Sequence, residues 1–416
     1  MSILYLYLLG KHFKMTSKLN IRLILLLASL TICFSCTEKK KALKTKEEMK
    51  VGSVYSMQPF SGNLPEVSPA DKTRLQHTIQ QFYDKIYVPN NFSGSFLVAK
   101  NGHIVFEKYR GMSNFENKDT ITSETPLHIA SLSKVLTATA VLLLVDSKKI
   151  DLDQKVNTIL EGFPYEEITV RTLLNHRSGL RNYSYFTDKN NVWNKRDTLH
   201  NSDLIPFIIK NNIELEFKPD SRFSYCNTNY SFLALIIEKI TKMDYRTAMK
   251  KLIFEPLDMK NTFVFDLKKD GNTASQSYKG NKIKYPLNYL DDIYGDKNIF
   301  STPRDLLKFD MATYNPAFLN KKLLKEVFKG YSYESRGTRN YGLGIRMFEW
   351  EDGKKMFYHN GWWHGSTSAY IKLKDEKATL ICISNKYTRC TYRLKLLSSL
   401  FGNYPFELKG KDETLE

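Results

Sequence analysis

Apart from Cys33–Cys36 in the N-terminal apolar segment, the chain has no CxxC, no HExxH and no comparable ligand spacing in its 416 residues, so the sequence supports no metal site and implies no cofactor. Cysteine is scarce, five in all. Cys33 and Cys36 fall in an N-terminal apolar segment. The other three, Cys226, Cys382 and Cys390, are an odd number, which argues against a disulfide framework and leaves a Cys382–Cys390 pairing open. No G-x-S-x-G nucleophile elbow occurs, which disfavours the α/β-hydrolases. No internal repeat is present. Acidic residues are the minority, 44 against 62 Lys and Arg, for a formal charge of +18. That excess invites a nucleic-acid reading. Dense runs such as Lys39-Lys40-Lys41, Lys148-Lys149 and Lys268-Lys269 are short and scattered, however, and no RNA- or DNA-binding motif accompanies them. A lysine-rich solvated surface accounts for the charge, with no nucleic-acid partner.

What is present begins with a core. Hydrophobic residues make up 42% of the chain, with 25 Tyr and 25 Phe, which is ample for one large domain or two modest ones. From Met15 the text runs through a basic start (Lys18, Arg22) into about a dozen apolar residues, too few to span a bilayer and suited to a signal-peptide core. Cys33-Phe34-Ser35-Cys36 resembles a bacterial lipobox, with Cys36 as the lipidated residue; an ordinary secretory signal or an uncleaved anchor is the alternative. Translation is expected to start at Met15. Residues 1–36 are thus read as signal and lipobox, and 37–67 as a polar tether. The expected location is the periplasmic face of the outer membrane, since Thr37 gives no reason for inner-membrane retention. The membrane is reached through the lipid on Cys36, and no protein partner is inferable.

The globular part is expected over 68–405, with a tail at 406–416. Ser68-Pro69-Ala70-Asp71 reads as a helix start, and Leu75, Ile79, Phe82 and Ile86 follow at helical spacing. Residues 94–99 and 103–108 flank Asn101-Gly102, a strong hairpin signal. An apolar helix follows Ser131, and residues 150–300 read as helices and long loops. Another helix starts at Thr302-Pro303-Arg304-Asp305. Strands return at 357–359, 368–373 and 378–383, and a final helix is expected over roughly 388–402. The fold class is therefore α/β (α+β): an antiparallel sheet built from both termini, flanked by helices, with an inserted, mainly helical subdomain.

Three short elements carry chemistry. In Ser131-Leu132-Ser133-Lys134 the serine opens the apolar helix, near the positive end of its dipole, with Lys134 one turn on along the same face. A serine hydroxyl needs a base beside it. An ordinary lysine titrates near about 10.4 and serves as that base only where burial or a neighbouring cation disfavours its charge. The bland alternative is a capping serine and a snorkelling lysine. Tyr225-Cys226-Asn227 is the second element. His359-Asn360-Gly361, at the end of an expected strand, is the third.

Together these resemble the serine β-lactamases of class C, the DD-carboxypeptidases and related esterases, which carry S-x-x-K, Y-x-N and K-T-G in this order. Residues 172–180 are similar to the family's LLxHxSGL segment, 254–262 to EPLGMxxT and 301–306 to STxxDL, so the resemblance spans roughly 75–405. It implies a serine β-lactamase-like fold and an acyl-enzyme route. Ser131 is then the nucleophile, Lys134 and Tyr225 take its proton, and Tyr225 passes one to the leaving group. The Ser131 and Trp362 backbone N–H groups form the oxyanion hole beside Gly361. Asn227 orients Lys134 and bonds the substrate amide, and His359 binds a substrate carboxylate or relays a proton. His176 is read as a structural loop residue.

Five positions depart from the family pattern: His359 for a usual lysine, Asp220 for a glycine, Arg177 for a threonine, and Trp362-Trp363 where small residues are common. The tryptophans are expected to crowd the acyl pocket. A histidine with an ordinary value of about 6.5 is mostly neutral at pH 7, so carboxylate-bearing substrates are expected to bind better toward pH 6. A small ester or a D-amino-acid peptide is the favoured substrate. A true β-lactamase, or an idle lipid-anchored binding or sensor protein on the same scaffold, are the alternatives.

Overall fold

The computed structural model describes residues 56–188 and 192–408. Met15, the lipobox with Cys36 and most of the expected tether lie outside the described residues.

Helix α1 (Pro69–Ile86) begins where its sequence signal falls. The Ser68 hydroxyl accepts the Asp71 N–H at 3.1 Å, and Pro69 occupies the first turn, where a missing N–H costs nothing. Leu75, Ile79, Phe82 and Ile86 form its buried stripe. Strands β1 (Gly94–Lys100) and β2 (His103–Arg110) are joined at Asn101-Gly102, both with positive φ, as a two-residue hairpin requires. Helix α2 (Ser133–Asp146) is apolar on all sides and almost entirely buried. Then comes the helical insertion, whose longest element is α3 (Asn227–Thr241), followed by α4 (Pro303–Ala312). Five strands close the chain: β3 (Arg339–Tyr341), β4 (Arg346–Glu349), β5 (Lys355–Trp363), β6 (Ser366–Leu373) and β7 (Ala378–Ser384).

These seven strands form one antiparallel sheet in the order β2-β1-β7-β6-β5-β4-β3. The N-terminal hairpin is zipped to the last strand, with Gly94 opposite Ser384 and Phe96 opposite Cys382. Side chains alternate between two faces. Phe96, Val98, Ala369, Ile371, Leu380 and Cys382 point toward α1, where Tyr83, Tyr87 and Phe92 complete an aromatic cluster. The other face carries the turn before α2, together with α4.

The structure revises the sequence reading at both ends. Residues 56–67 are not free tether: Met57 is buried and its N–H bonds the Leu252 carbonyl at 2.8 Å, and the Pro59 and Pro65 carbonyls accept from Asn315 and Asn101. Phe406, expected in the tail, packs on Phe348 and Trp350. The last helix is wound as a 3-10 helix over Cys390–Leu400. Its buried residues Thr391, Leu394 and Leu397 recur every three positions, which stacks them on one face of a 3-10 helix rather than an α-helix. A small second sheet pairs Leu127–His128 and Phe263–Val264 with Ile299–Ser301, segments too short to show periodicity. Cys226, Cys382 and Cys390 are buried free thiols.

One buried charge cluster fastens α4 to the sheet. Asp310 accepts from Lys372 Nζ at 3.0 Å, from Thr379 Oγ1 at 2.6 Å and from the Tyr370 hydroxyl, and Lys372 also lies over the Tyr314 ring. Removing the carboxylate strands a buried ammonium. Asp310→Ala is expected to cost about 3–5 kcal/mol in urea unfolding, and a loss below about 1 kcal/mol would contradict this reading.

Candidate active site

Ser131 lies in a single 3-10 turn, Ala130–Leu132, that leads into α2. Ala130 has φ of 49°, a left-handed conformation that costs a residue with a Cβ about 1–2 kcal/mol. Neighbours hold the turn in that shape. The Ile129 carbonyl accepts the Ser368 hydroxyl at 2.6 Å, its N–H reaches the Ile299 carbonyl at 3.0 Å, and Ser133 Oγ accepts the Ile299 N–H at 3.1 Å. Gly361 makes the approach possible. A Cβ there would come within 2.4 Å of the Ile129 carbonyl oxygen and 2.3 Å of Ser368 Oγ.

Lys134 is fully buried, and its Nζ stands 3.1 Å from Ser131 Oγ and 2.8 Å from the Asp296 carbonyl oxygen. Tyr225 and Tyr230 flank it, their ring centroids 5.0 and 5.6 Å from Nζ. The expected nucleophile, base and tyrosine are therefore together. Asn227, first residue of α3, is nearby in sequence but does not bond Lys134, so orienting the lysine falls to the Asp296 carbonyl. The Asn227 Oδ1 is buried with no hydrogen-bond partner. It is an acceptor waiting for a donor.

Asp296 belongs to a buried network. Tyr183 donates to Asp296 Oδ2 at 2.8 Å and accepts from Lys297 Nζ at 2.6 Å, while Lys297 lies over the Trp363 ring. Trp363 Nε1 in turn donates to Asp291 at 2.7 Å. The two tryptophans thus do not crowd one pocket together, as expected. Adjacent strand residues face opposite ways, so Trp363 is tied into this network while Trp362 is 57% exposed on the other side.

His359 departs furthest from expectation. It is completely buried, its Nδ1–H donating to the Asn360 carbonyl at 2.8 Å and its Nε2 accepting from the Tyr341 hydroxyl at 3.2 Å. Burial holds its imidazole well below the ordinary range, and Arg346 and Lys134 push the same way. With both nitrogens engaged and its charge suppressed, it is not the carboxylate binder, and it does not charge toward pH 6. His176 is alike. Its Nδ1 accepts the Cys226 N–H at 3.1 Å, its ring packs on Tyr225 at 4.4 Å, and burial, then Lys134, holds it far below the usual range.

The cation that the sequence reading missed is Arg346. Its guanidinium sits over the Tyr225 ring, 4.6 Å from the centroid, and among the described residues no carboxylate forms an ion pair with it. Burial opposes its charge, but Tyr225, Tyr358 and Tyr341 outweigh that and raise it further. The available signal was a lone arginine in the apolar run 341–348. Two departures from the family pattern also meet: Arg177 pairs with Asp220 at 2.6 Å and with Glu334, and Asp220 keeps the positive φ that suits a glycine. Among the described residues no three His, Cys, Asp or Glu side chains converge as metal ligands.

A serine–lysine–tyrosine cluster around a buried lysine, on a helix start facing an antiparallel strand, defines a serine hydrolase of the penicillin-recognising class. The chain belongs to the Beta-lactamase family, whose profile matches residues 88–393. It is 29% identical over 356 residues to penicillin-binding protein 4* of Bacillus subtilis, covering 81% of this chain and 78% of that one. It is 24% identical to a D-aminopeptidase of Brucella canis over 76% of this chain and 62% of that protein. Among solved structures, a penicillin-binding protein from Bacillus halodurans superposes with a TM-score of 0.67 at 20% identity, covering 76% of this chain and 98% of that one.

The buried histidines make a stability prediction. His128, driven down to about 4 by burial, joins His176 and His359 as imidazoles that resist protonation in the folded state. Unfolded, each takes up a proton near about 6.5. Their contribution is complete above that value and is lost as the pH falls, at about 1.4 kcal/mol per pH unit for each histidine. The thermal midpoint should drop clearly between pH 7 and pH 5 in a melting experiment. A flat profile would contradict it.

Proposed function

We propose that the protein hydrolyses the amide bond following a D-amino acid through an acyl-enzyme on Ser131, with Arg346 receiving the substrate's terminal carboxylate. The observation that carries this reading is Arg346 itself, an arginine with no carboxylate partner among the described residues, stacked on Tyr225 at the cleft. The D-aminopeptidase name of the Brucella relative supports the D-amino-acid part.

Ser131 Oγ attacks the carbonyl carbon and its proton passes to Lys134, 3.1 Å away. The Ser131 and Trp362 N–H groups receive the charge that develops on the carbonyl oxygen, each worth about 3–4 kcal/mol when such a donor is lost. Asn227 Oδ1, otherwise unpartnered, accepts the substrate's amide N–H. Tyr225 hands a proton to the departing amine, and water then releases the acyl group by the reverse path. His359 fixes Tyr341 and, by staying neutral, leaves Arg346 as the cation that meets a carboxylate. A small activated ester acylates Ser131 by the same step.

Acetyl-D-Ala-D-Ala, its C-terminal amide, a short nitrophenyl ester and a chromogenic cephalosporin, assayed side by side, test this. The acid peptide and the ester should turn over, with the cephalosporin slow or inert. Ser131→Ala should lower kcat by about 10⁴-fold or more. Arg346→Gln should raise KM for the acid peptide about tenfold and leave the amide within about twofold. A cephalosporin with the highest kcat/KM of the set would overturn the substrate assignment.

The same reading takes Cys36 as lipidated and the enzyme as held at the periplasmic face of the outer membrane; its support is the run from Lys18 to the lipobox-like Cys33–Cys36. Cys36→Ser should move the protein from the membrane to the soluble fraction on cell fractionation. Unchanged sedimentation with membranes counts against it.

A further inference from the structure

We propose that the cleft continues around the free edge of β5 into a pocket for the departing half of the substrate, and that this half carries an apolar or aromatic side chain as well as its carboxylate. The proposal rests on the reading that Tyr225 protonates the leaving group.

The pairing of β5 with β4 ends at Tyr358 opposite Arg346, so from His359 onward that edge of β5 is open. Beyond it lies a cavity of about 470 Å³ between the α1-facing side of the sheet and the 3-10 helix Cys390–Leu400. It runs from Arg346 and Gly361 to a floor of Met356, Ala369 and Ile371, with Tyr358 and Tyr392 as walls. The strand pleat separates the two compartments: His359 and Gly361 face the nucleophile, whereas Asn360 and Trp362 line this cavity.

Position identifies the occupant. A group that protonates a leaving amine stands beside it, and the Tyr225 ring carries Arg346, one of the residues that line the cavity. On acylation the C–N bond breaks as the Ser131 ester bond forms, and the amine, taking its proton through Tyr225, leaves on this side. Composition identifies its chemistry. Arg339, Arg346 and Arg389 line the cavity and, among the described residues, no carboxylate does, so an anion is welcome and a cationic group is not. The floor is apolar, and at the mouth Trp362 is 57% and Tyr387 39% exposed, aromatic surface that a ligand would cover. The volume falls in the range of about 300–1,000 Å³ usual for small-molecule sites, far more than a methyl side chain fills.

The test compares acetyl-D-Ala-D-Phe with acetyl-D-Ala-D-Ala, using ester turnover as a folding control. The wild-type protein should favour the phenylalanine peptide in kcat/KM by about tenfold or more, as burial of a benzyl group allows. Tyr387→Ala, which removes exposed aromatic surface lining the cavity, should cut that preference about threefold or more while leaving ester turnover and the alanine peptide within about twofold. In the unaltered protein, free D-phenylalanine should inhibit ester turnover at least about tenfold more tightly than D-alanine, which needs no variant to fold. Equal rates on the two peptides, or a preference that survives Tyr387→Ala in a variant with normal ester turnover, overturns this proposal alone. Ester turnover with cleavage of neither peptide overturns the peptide reading along with it.

Discussion

The contact on which the site depends is backbone against backbone, where Gly361 of β5 meets Ile129 and Ala130 at less than a side chain's width. Two parts of the chain that share no local structure are brought edge to edge, and the left-handed bend at Ala130 is the cost of it. Ser368, next door on β6, and Ile299 hold the bend with hydrogen bonds. Everything the chemistry uses hangs on that seam: Ser131 on one side of it, the Trp362 N–H on the other, and Lys134 one turn beyond.

Around the seam, positive charge is buried with unusual partners. Lys372 has a directly bonded carboxylate and Lys297 has one at 3.7 Å. Lys134 and Arg346 have neither among the described residues; a carbonyl, a hydroxyl and aromatic faces serve instead. A carboxylate next to Lys134 would fix its proton in place. Ring faces, a hydroxyl and a carbonyl position the Lys134 amine without setting a carboxylate beside it.

Much of this was legible in the sequence because it is written in side-chain type and spacing. Ser131, Lys134 and Tyr225 are found together as their motifs imply, and α1, the hairpin and the closing strands fall where capping, Asn-Gly and alternation put them. What escaped notice was of three physical kinds. The anchor for Lys134 is a backbone carbonyl, which any residue at 296 would supply, so no residue type marks it. Arg346 becomes meaningful only when β4 pairs with β5 and brings it over Tyr225. The state of His359 depends on its being sealed in, and burial within a strand cannot be read from a residue name.

The zipping of the first hairpin to the last strand also sets an order of events during synthesis. The Ser384 hydroxyl bonds the Ser93 carbonyl across 291 residues of chain. At a translation speed of about 5–20 residues per second, roughly 15–60 seconds separate the emergence of the two partners. Throughout that interval β1, flanked by β2 alone, has an unpaired apolar edge and no β7 to cover it. The nascent chain therefore cannot close its sheet before it is nearly complete. It has most need of a holding chaperone over the same stretch of time.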